Sequence, residues 1–472
     1  MTRSSLVLGA ALFGVVAPTG CGPTEGAPAE PPGPIAATDE PGKADAFGRK
    51  VLGVAPDYPH DARLAKQESE LNADMKARRD AAWLAVAKVL QRVPLAEARV
   101  DLDADDAPAS IPLFQTWYGW DDLKFLYREY LATPAHATDP GLESLFEAHA
   151  GRLDSLRSWP EERYLRTLAK IGDDEDIAGV AGTFRVGYSP EFVRHVFPRS
   201  DAVIDCAAKA AARAEADPAS DDAQPPSDDN FTLCFDQEFP VGTAIVKSHW
   251  DRADFGRGLM AFDTSAQALT DRLNGVAEWG NGDRSSDPGP DKAHTLRLRS
   301  GGEFRLGGLH VMTKELRHWL WVTLWWSDDP DTDFGADRPD FIAELGEGWK
   351  NYKMCVVTAY EEGDEDPGRH YDESAPTLAE ALRATHRVDE DGGAPTWCSN
   401  PYLELGPGNQ DTNCIGCHQH GGTGIPVEDI LAKPELFPHR GRPQVRETFP
   451  ADYIWEFEAG EQISSVLEAE AR

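Results

Sequence analysis

Residues 411–422 read DTNCIGCHQHGG, and within them Cys414, Cys417 and His418 form a C-x-x-C-H string. Two thiols at that spacing can add to the two vinyl groups of one haem, and the histidine that follows at once is placed to ligate its iron. The competing zinc reading needs a second C-x-x-C or a histidine pair at finger spacing, and the chain has neither. A thioredoxin-like redox pair would want a βαβ setting, which is also missing. The chemistry expected is one covalent haem c, with Cys414 and Cys417 as attachment points and His418 as the iron ligand.

The second face of that iron is less determined. A small electron-transfer cytochrome supplies a methionine downstream of the motif, yet no methionine follows Met354. Met260, Met312 and Met354 all lie upstream, in a strand-rich region where a methionine usually packs in the core. His420 is two residues from His418 and cannot reach across the ring. His249, His310, His318 and His439 remain as candidates, although a lone histidine on a strand is more often a surface or hydrogen-bonded residue. The expectation is an open position, at which a small molecule binds or reacts.

These residues need elements to hold them. From Pro59 to Val93 apolar residues recur at helical spacing until Pro94 stops the run. WDDLKFLYREYL (120–131), LESLFEAH (142–149) and SPEFVRHVF (189–197), with Ser189 as cap and Pro190 in the first turn, read as further helices. Trp117, Tyr118 and Trp120 can line a pocket, but aromatic residues so spaced are usually core. After an acidic, proline-containing linker at 207–230 the pattern changes to strands: 241–250, 294–300, 302–312, 318–326 and 352–360. A three-residue turn at Ser300–Gly302 would set Leu298 against Phe304, Leu296 against Leu306, Arg299 against Glu303 and, less favourably, Arg297 against Arg305. Helices are expected at 263–273, from an Asp263 cap, and at 377–388; ADYIWEFE (451–458) reads as a closing strand.

The fold class expected is α+β: an α-helical N-terminal domain over 46–215, then an antiparallel β-rich haem c domain over 216–472 with an inserted segment near 327–410. With 472 residues, more than one such unit is natural. The balance of 46 basic against 81 acidic residues gives −35, which disfavours nucleic acid and anionic membrane surfaces as partners.

At the N-terminus, Arg3 precedes an apolar run from Leu6 to Ala17, too short for a membrane span and fitting a secretory signal over 1–20. Thr19, Gly20 and Cys21 resemble a bacterial lipoprotein cleavage site, which makes Cys21 the lipidated residue and 21–45 a flexible tether. The location expected is the periplasm or outer membrane of a Gram-negative bacterium, with lipid as the sole membrane contact. Setting aside Cys21, Cys414 and Cys417 leaves Cys206, Cys234, Cys355 and Cys398. An even remainder in an exported chain suggests two disulfides; of three possible connectivities, sequential pairing closes two loops that lack cores of their own.

Other residues offer chemistry. Asp329, Asp331 and Asp333, with Asp340 beyond, present hard oxygens that can hold calcium, against the plain reading of a solvated acidic loop. Lys314, Glu315 and His318 can relay protons to a distal pocket, or serve only as a polar turn.

The arrangement of a β-rich domain with one haem motif near its end resembles the cytochrome P460 family and the β-type cytochromes c′. Phe239 to Lys247 is similar to that family's F-x-x-G-T-V-x-V-K strand, Trp319 to Trp326 to its tryptophan-led strand, Cys414 to His418 to its haem motif, and Asp452 to Trp455 to its D-x-V-F strand after the haem. The resemblance implies that Lys247 is the lysine crosslinked to the haem edge, that iron is five-coordinate, and that the chain oxidises hydroxylamine or binds nitrogen oxides, passing electrons to a periplasmic carrier. A plain six-coordinate electron carrier and a gas-binding sensor or scavenger are the other readings.

Overall fold

A buried run of tryptophans organises the sheet. Leu320–Trp326 and Tyr352–Thr358 are buried at every position, as strands covered on both faces must be. In the computed structural model, which describes residues 55–64, 67–94, 110–139, 141–149, 182–215, 235, 237–253, 258–265, 268, 284–297, 303–358, 398–404, 414–425, 430, 451–458 and 461–471, helices and antiparallel strands combine in a mixed α+β fold. The elements are α1 (Glu68–Ala73), α2 (Met75–Leu90), β1 (Arg92–Pro94), β2 (Ser110–Pro112), α3 (Trp120–Ala132), α4 (Glu143–His149), β3 (Gly182–Tyr188), α5 (Pro190–Val196), α6 (Ser200–Glu215), β4 (Ala244–Arg252), β5 (Leu259–Ala261), β6 (Arg284–Ser286), β7 (Thr295–Arg297), β8 (Glu303–Thr313), β9 (Leu320–Trp326), β10 (Tyr352–Thr358), α7 (Cys414–His418) and α8 (Gln462–Ala471). The main sheet runs β10-β9-β8-β4-β3, with β7 also paired to β8.

Several expectations hold at the level of single elements. Ser189 caps α5, its Oγ accepting from the Phe192 amide and, at 3.0 Å, from the Ala244 amide at the head of β4. The cap thus ties a helix to the strand that carries Lys247. Trp117 and Tyr118 are core, whereas Trp120 is 40% exposed.

Other elements depart from the sequence reading. The helical run at 59–93 breaks at Asp74, whose carboxylate accepts from the Lys76 and Ala77 amides and starts α2 afresh. Residues 182–188, inside the stretch read as helical, are the edge strand β3, paired to β4 from Gly182↔Asp251 to Tyr188↔Ile245. Helix α2 packs directly on β8, β9 and β10. The β7–β8 hairpin is shifted by two residues from the expected register: Leu296 faces Phe304 and Arg297 faces Glu303. A two-residue slip keeps the same side chains on the same face; here Glu303 meets Arg297 instead of Arg299, and Arg305 faces Thr295 instead of Arg297. Finally, 451–458 is no strand; it is a turn followed by a short 3-10 segment at Trp455–Phe457, with Asp452 and Tyr453 both at positive φ. The helix expected at 377–388 and most of that at 263–273 lie outside the described residues, as do Cys21 and the signal and tether segments. Among the described residues no helix is long and apolar enough to cross a membrane.

Burial also sets an acid sensitivity. His294 stacks on Trp349 at 4.4 Å, and burial, helped by the Arg92 charge, pushes its imidazole down to about 3. The unfolded chain then takes up this proton near 6.5 while the folded one does not, so stability is full above that value and falls as pH drops toward 3. Between pH 6.5 and 4.5 the urea midpoint of His294→Phe should fall less than that of the wild type, by about 1.4 kcal/mol of stability per pH unit. Parallel curves would show that His294 is not the group responsible.

Candidate functional site

One face of the main sheet carries Ile245 and Lys247 from β4, His310 and Met312 from β8, and Trp321 and Thr323 from β9, because alternate residues share a face. The register places Lys247 opposite His310 and Met312 opposite both Ile245 and Trp321. Cys355 lies opposite Thr323 on the same face, and its disulfide to Cys398 brings the chain at 398–404 onto it. That pairing is the one expected from sequence. Cys206 is also disulfide-bonded, and Cys234 lies outside the described residues.

Beyond Cys398, Asn400 donates to Thr323 Oγ1 and to the Leu324 carbonyl, both at 2.7 Å. Such close approach requires Gly307 and Gly308: a Cβ at either would stand 2.6 Å from the Tyr402 ring or 2.9 Å from Asn400 Oδ1. The consequence is positional. Leu403 and Glu404 close one side of a cavity of about 340 Å³ whose other walls are the sheet face, the α7 turn, and Trp455, Glu456 and Glu461.

Cys414, Cys417 and His418 all line this cavity. On α7 they stand at i, i+3 and i+4, the spacing that shares one helical face. Neither cysteine is in a disulfide, and burial raises the Cys414 thiol well above its ordinary value. His418 packs against Trp321 with ring centres 4.6 Å apart, and its Nδ1 lies 2.9 Å from the Tyr453 carbonyl. A carbonyl can only accept, so Nδ1 carries the proton and Nε2 is left as the free lone pair. Burial pushes this imidazole down to about 4, which keeps it neutral. A neutral, oriented histidine beside two thiols on one turn is the donor set that haem c attachment demands.

The carbonyl that orients His418 is itself held. Asp452 has φ 46° and Tyr453 φ 71°, and left-handed backbone at a non-glycine residue costs roughly 1–3 kcal/mol. The buried Lys314 ammonium contacts both Asp452 carboxylate oxygens at 2.7 Å, the Phe239 amide donates to the same carboxylate at 2.8 Å, and Trp319 Nε1 donates to the Asp452 carbonyl at 3.1 Å. Lys314 is therefore an anchor for the turn. Glu315 accepts from Tyr58 Oη and is paired to Lys88; His318 Nδ1 is bonded to Tyr453 Oη at 2.9 Å. None of the three lines the cavity, so the proton-relay reading of Lys314, Glu315 and His318 gives way to a structural one.

The structure sorts the second-face candidates. His310 and Met312 line the cavity. His249 pairs instead with Asp251 at 3.4 Å, Met354 is buried away from the cavity wall and Met260 sits in β5, while His439 lies outside the described residues. The calcium reading is not supported. Asp333 is buried on the Lys353 ammonium at 2.8 Å, Asp331 pairs with Arg338, and Asp329 accepts from Thr332 at 3.2 Å. Protein cations already neutralise two of these carboxylates, and among the described residues no group of His, Cys, Asp or Glu converges as a metal cage.

Sequence reasoning missed the cavity's acids. Glu404, Glu456 and Glu461 line it; burial pushes Glu404 up to about 7 and raises Glu456. Glu458, also pushed up to about 7 by burial, accepts from the Gly422 and Gly424 amides and fastens the loop that follows α7. The proximity of Glu458 to the C-x-x-C-H turn is a long-range matter, and only the disulfide signal at Cys398 hinted that 398–404 would reach the site. No family model, curated protein or solved structure matches this chain.

Proposed function

We propose that this chain is an exported, lipid-anchored monohaem c-type protein of the cytochrome P460 kind, whose C-terminal half is the P460-like haem domain and whose cavity binds or transforms small nitrogen oxides or hydroxylamine. The observation that carries the reading is the α7 turn: Cys414, Cys417 and an Nδ1-protonated His418 open together onto one cavity of about 340 Å³. A haem held there by Cys414, Cys417 and His418 would supply a redox-active iron able to bind a small ligand. The chain's own residues do the rest. Trp321 packs on the His418 ring, the Tyr453 carbonyl fixes its tautomer, and Glu404, pushed up to about 7 by burial, titrates near neutral pH and so can give or take a proton in the cavity.

Lys247 supports the same reading. It lines the cavity on the strand that resembles the family's lysine strand, and its Nζ stands 5.6 Å from the Phe184 ring centre. The second reading, a six-coordinate electron carrier, is favoured by Met312, a thioether on the same wall.

The test is the protein matured with haem c and examined by absorption, ferric and ferrous, before and after nitric oxide, beside Lys247→Ala. A mass increase of one haem, lost in the Cys414→Ala, Cys417→Ala double variant, and a high-spin spectrum that shifts with nitric oxide are expected. A haem-bearing peptide that contains Lys247 in the wild type alone would make it the crosslinking residue. A low-spin spectrum unmoved by nitric oxide would sink the open-site reading and leave the carrier.

A further inference from the structure

His310 has no task in the fold that explains its placement. It sits in the middle of β8, hydrogen-bonded as a strand to β4 on one side and β9 on the other, so its ring is carried on rigid backbone. The side chain opens on the cavity, and its buried Nε2 meets no hydrogen-bond partner among the described residues. A buried imidazole nitrogen left unpaired keeps its full desolvation penalty. An orphan of this kind on a cavity wall marks a group whose partner arrives from outside.

Its surroundings define that partner. Across the strands stand Lys247 and Thr323, and burial, with the Lys247 charge beside it, drives the His310 imidazole well below its usual range, so it stays neutral. A neutral imidazole offers either one N–H or one lone pair at Nε2, which suits a small uncharged ligand with a polar end better than a bulky anion. Thr323 is engaged by Asn400 and so does not compete for the role.

We propose that His310 is the distal contact of this site: its Nε2 hydrogen-bonds a neutral diatomic ligand, such as nitric oxide or carbon monoxide, held at the iron position that His418 leaves free. The inference rests on the haem reading above and adds a residue that the motif does not contain.

The probe is carbon monoxide on the ferrous, haem-matured full chain, read as the C–O stretching band and as the dissociation rate, in wild type, His310→Leu and His310→Gln. The expected result is a band that moves to higher frequency in the leucine variant and part of the way back in the glutamine variant, with carbon monoxide leaving about tenfold faster from the leucine variant, the worth of one hydrogen bond. Because glutamine keeps a polar end at similar reach, a shift shared equally by both variants would point to disturbed packing and overturn the proposal. So would identical bands in all three proteins. A ligand-free wild type that is low-spin and turns high-spin in His310→Leu would make His310 an axial ligand, which also overturns it. A chain whose mass shows no haem overturns the underlying reading, and the two failures are told apart before any gas is added.

Discussion

Arg79→Ala should lower the stability of the whole folded unit by about 3–5 kcal/mol and leave a single unfolding transition. Arg79 is 2% exposed on α2; its guanidinium donates to Asp337 at 2.5 and 2.6 Å and to the carbonyls of Phe334 and Met354, each at 2.8 Å. Truncation strands the Asp337 carboxylate, which the Arg79 charge holds below its ordinary value, and leaves two carbonyls without their donors. Lysine should restore only a fraction, since a point charge cannot serve four acceptors spread around a planar fork. The measurement is urea unfolding followed both by far-ultraviolet dichroism and by tryptophan fluorescence in a Trp83→Phe, Trp117→Phe background, where the buried Trp250, Trp319, Trp325 and Trp326 report on the sheet. Coincident curves that shift together mean that α2 and the sheet fold as one. If the helical signal moved while the tryptophan signal stayed, the N-terminal helices would be a separate cooperative unit.

What the sequence made legible follows from the range of the forces involved. The C-x-x-C-H string, the Ser189 cap and the tryptophan-rich strand are local signals, and each lies where local chemistry put it. The disulfide between Cys355 and Cys398 was legible through cysteine arithmetic, although its consequence, that Glu404 reaches the cavity, was not. Strand β3 is short and glycine-flanked at Gly182 and Gly187, and what makes it a strand is the edge that β4 offers, a partner far along the chain. The β7–β8 slip was undecidable from face alternation, because a shift by two preserves the faces, and Glu303 faces an arginine in either register. Most instructive is ADYIWEFE, whose apolar and aromatic content favours a strand on propensity alone. Here a buried lysine from another part of the chain overrides propensity, and no local feature of residues 451–458 announces it.

That override leads to the second large effect. Asp452→Ala should cost about 3–5 kcal/mol, because it leaves the Lys314 ammonium, 3% exposed, without a counter-charge. It should also release the turn. Aspartate tolerates left-handed backbone far better than alanine, so the substitution removes the anchor and raises the strain together. Asp452→Asn separates the two contributions: it keeps a side chain suited to positive φ and an acceptor for the Phe239 amide, yet loses the charge, and should fall between wild type and alanine. Lys314→Met combined with Asp452→Asn should recover part of the stability, since the unpaired buried charge is gone. The site readout is the His418 Nδ1 proton, followed by selective ¹⁵N labelling. With Tyr453 no longer held, its carbonyl drifts from His418, and that proton should exchange with solvent faster in Asp452→Ala than in Asp452→Asn. Unchanged exchange in a destabilised variant would show that the Lys314–Asp452 pair supports the fold without orienting the histidine. Accelerated exchange would mean that strain at residues 452 and 453 persists because it aims the one imidazole on which the proposed metal chemistry depends.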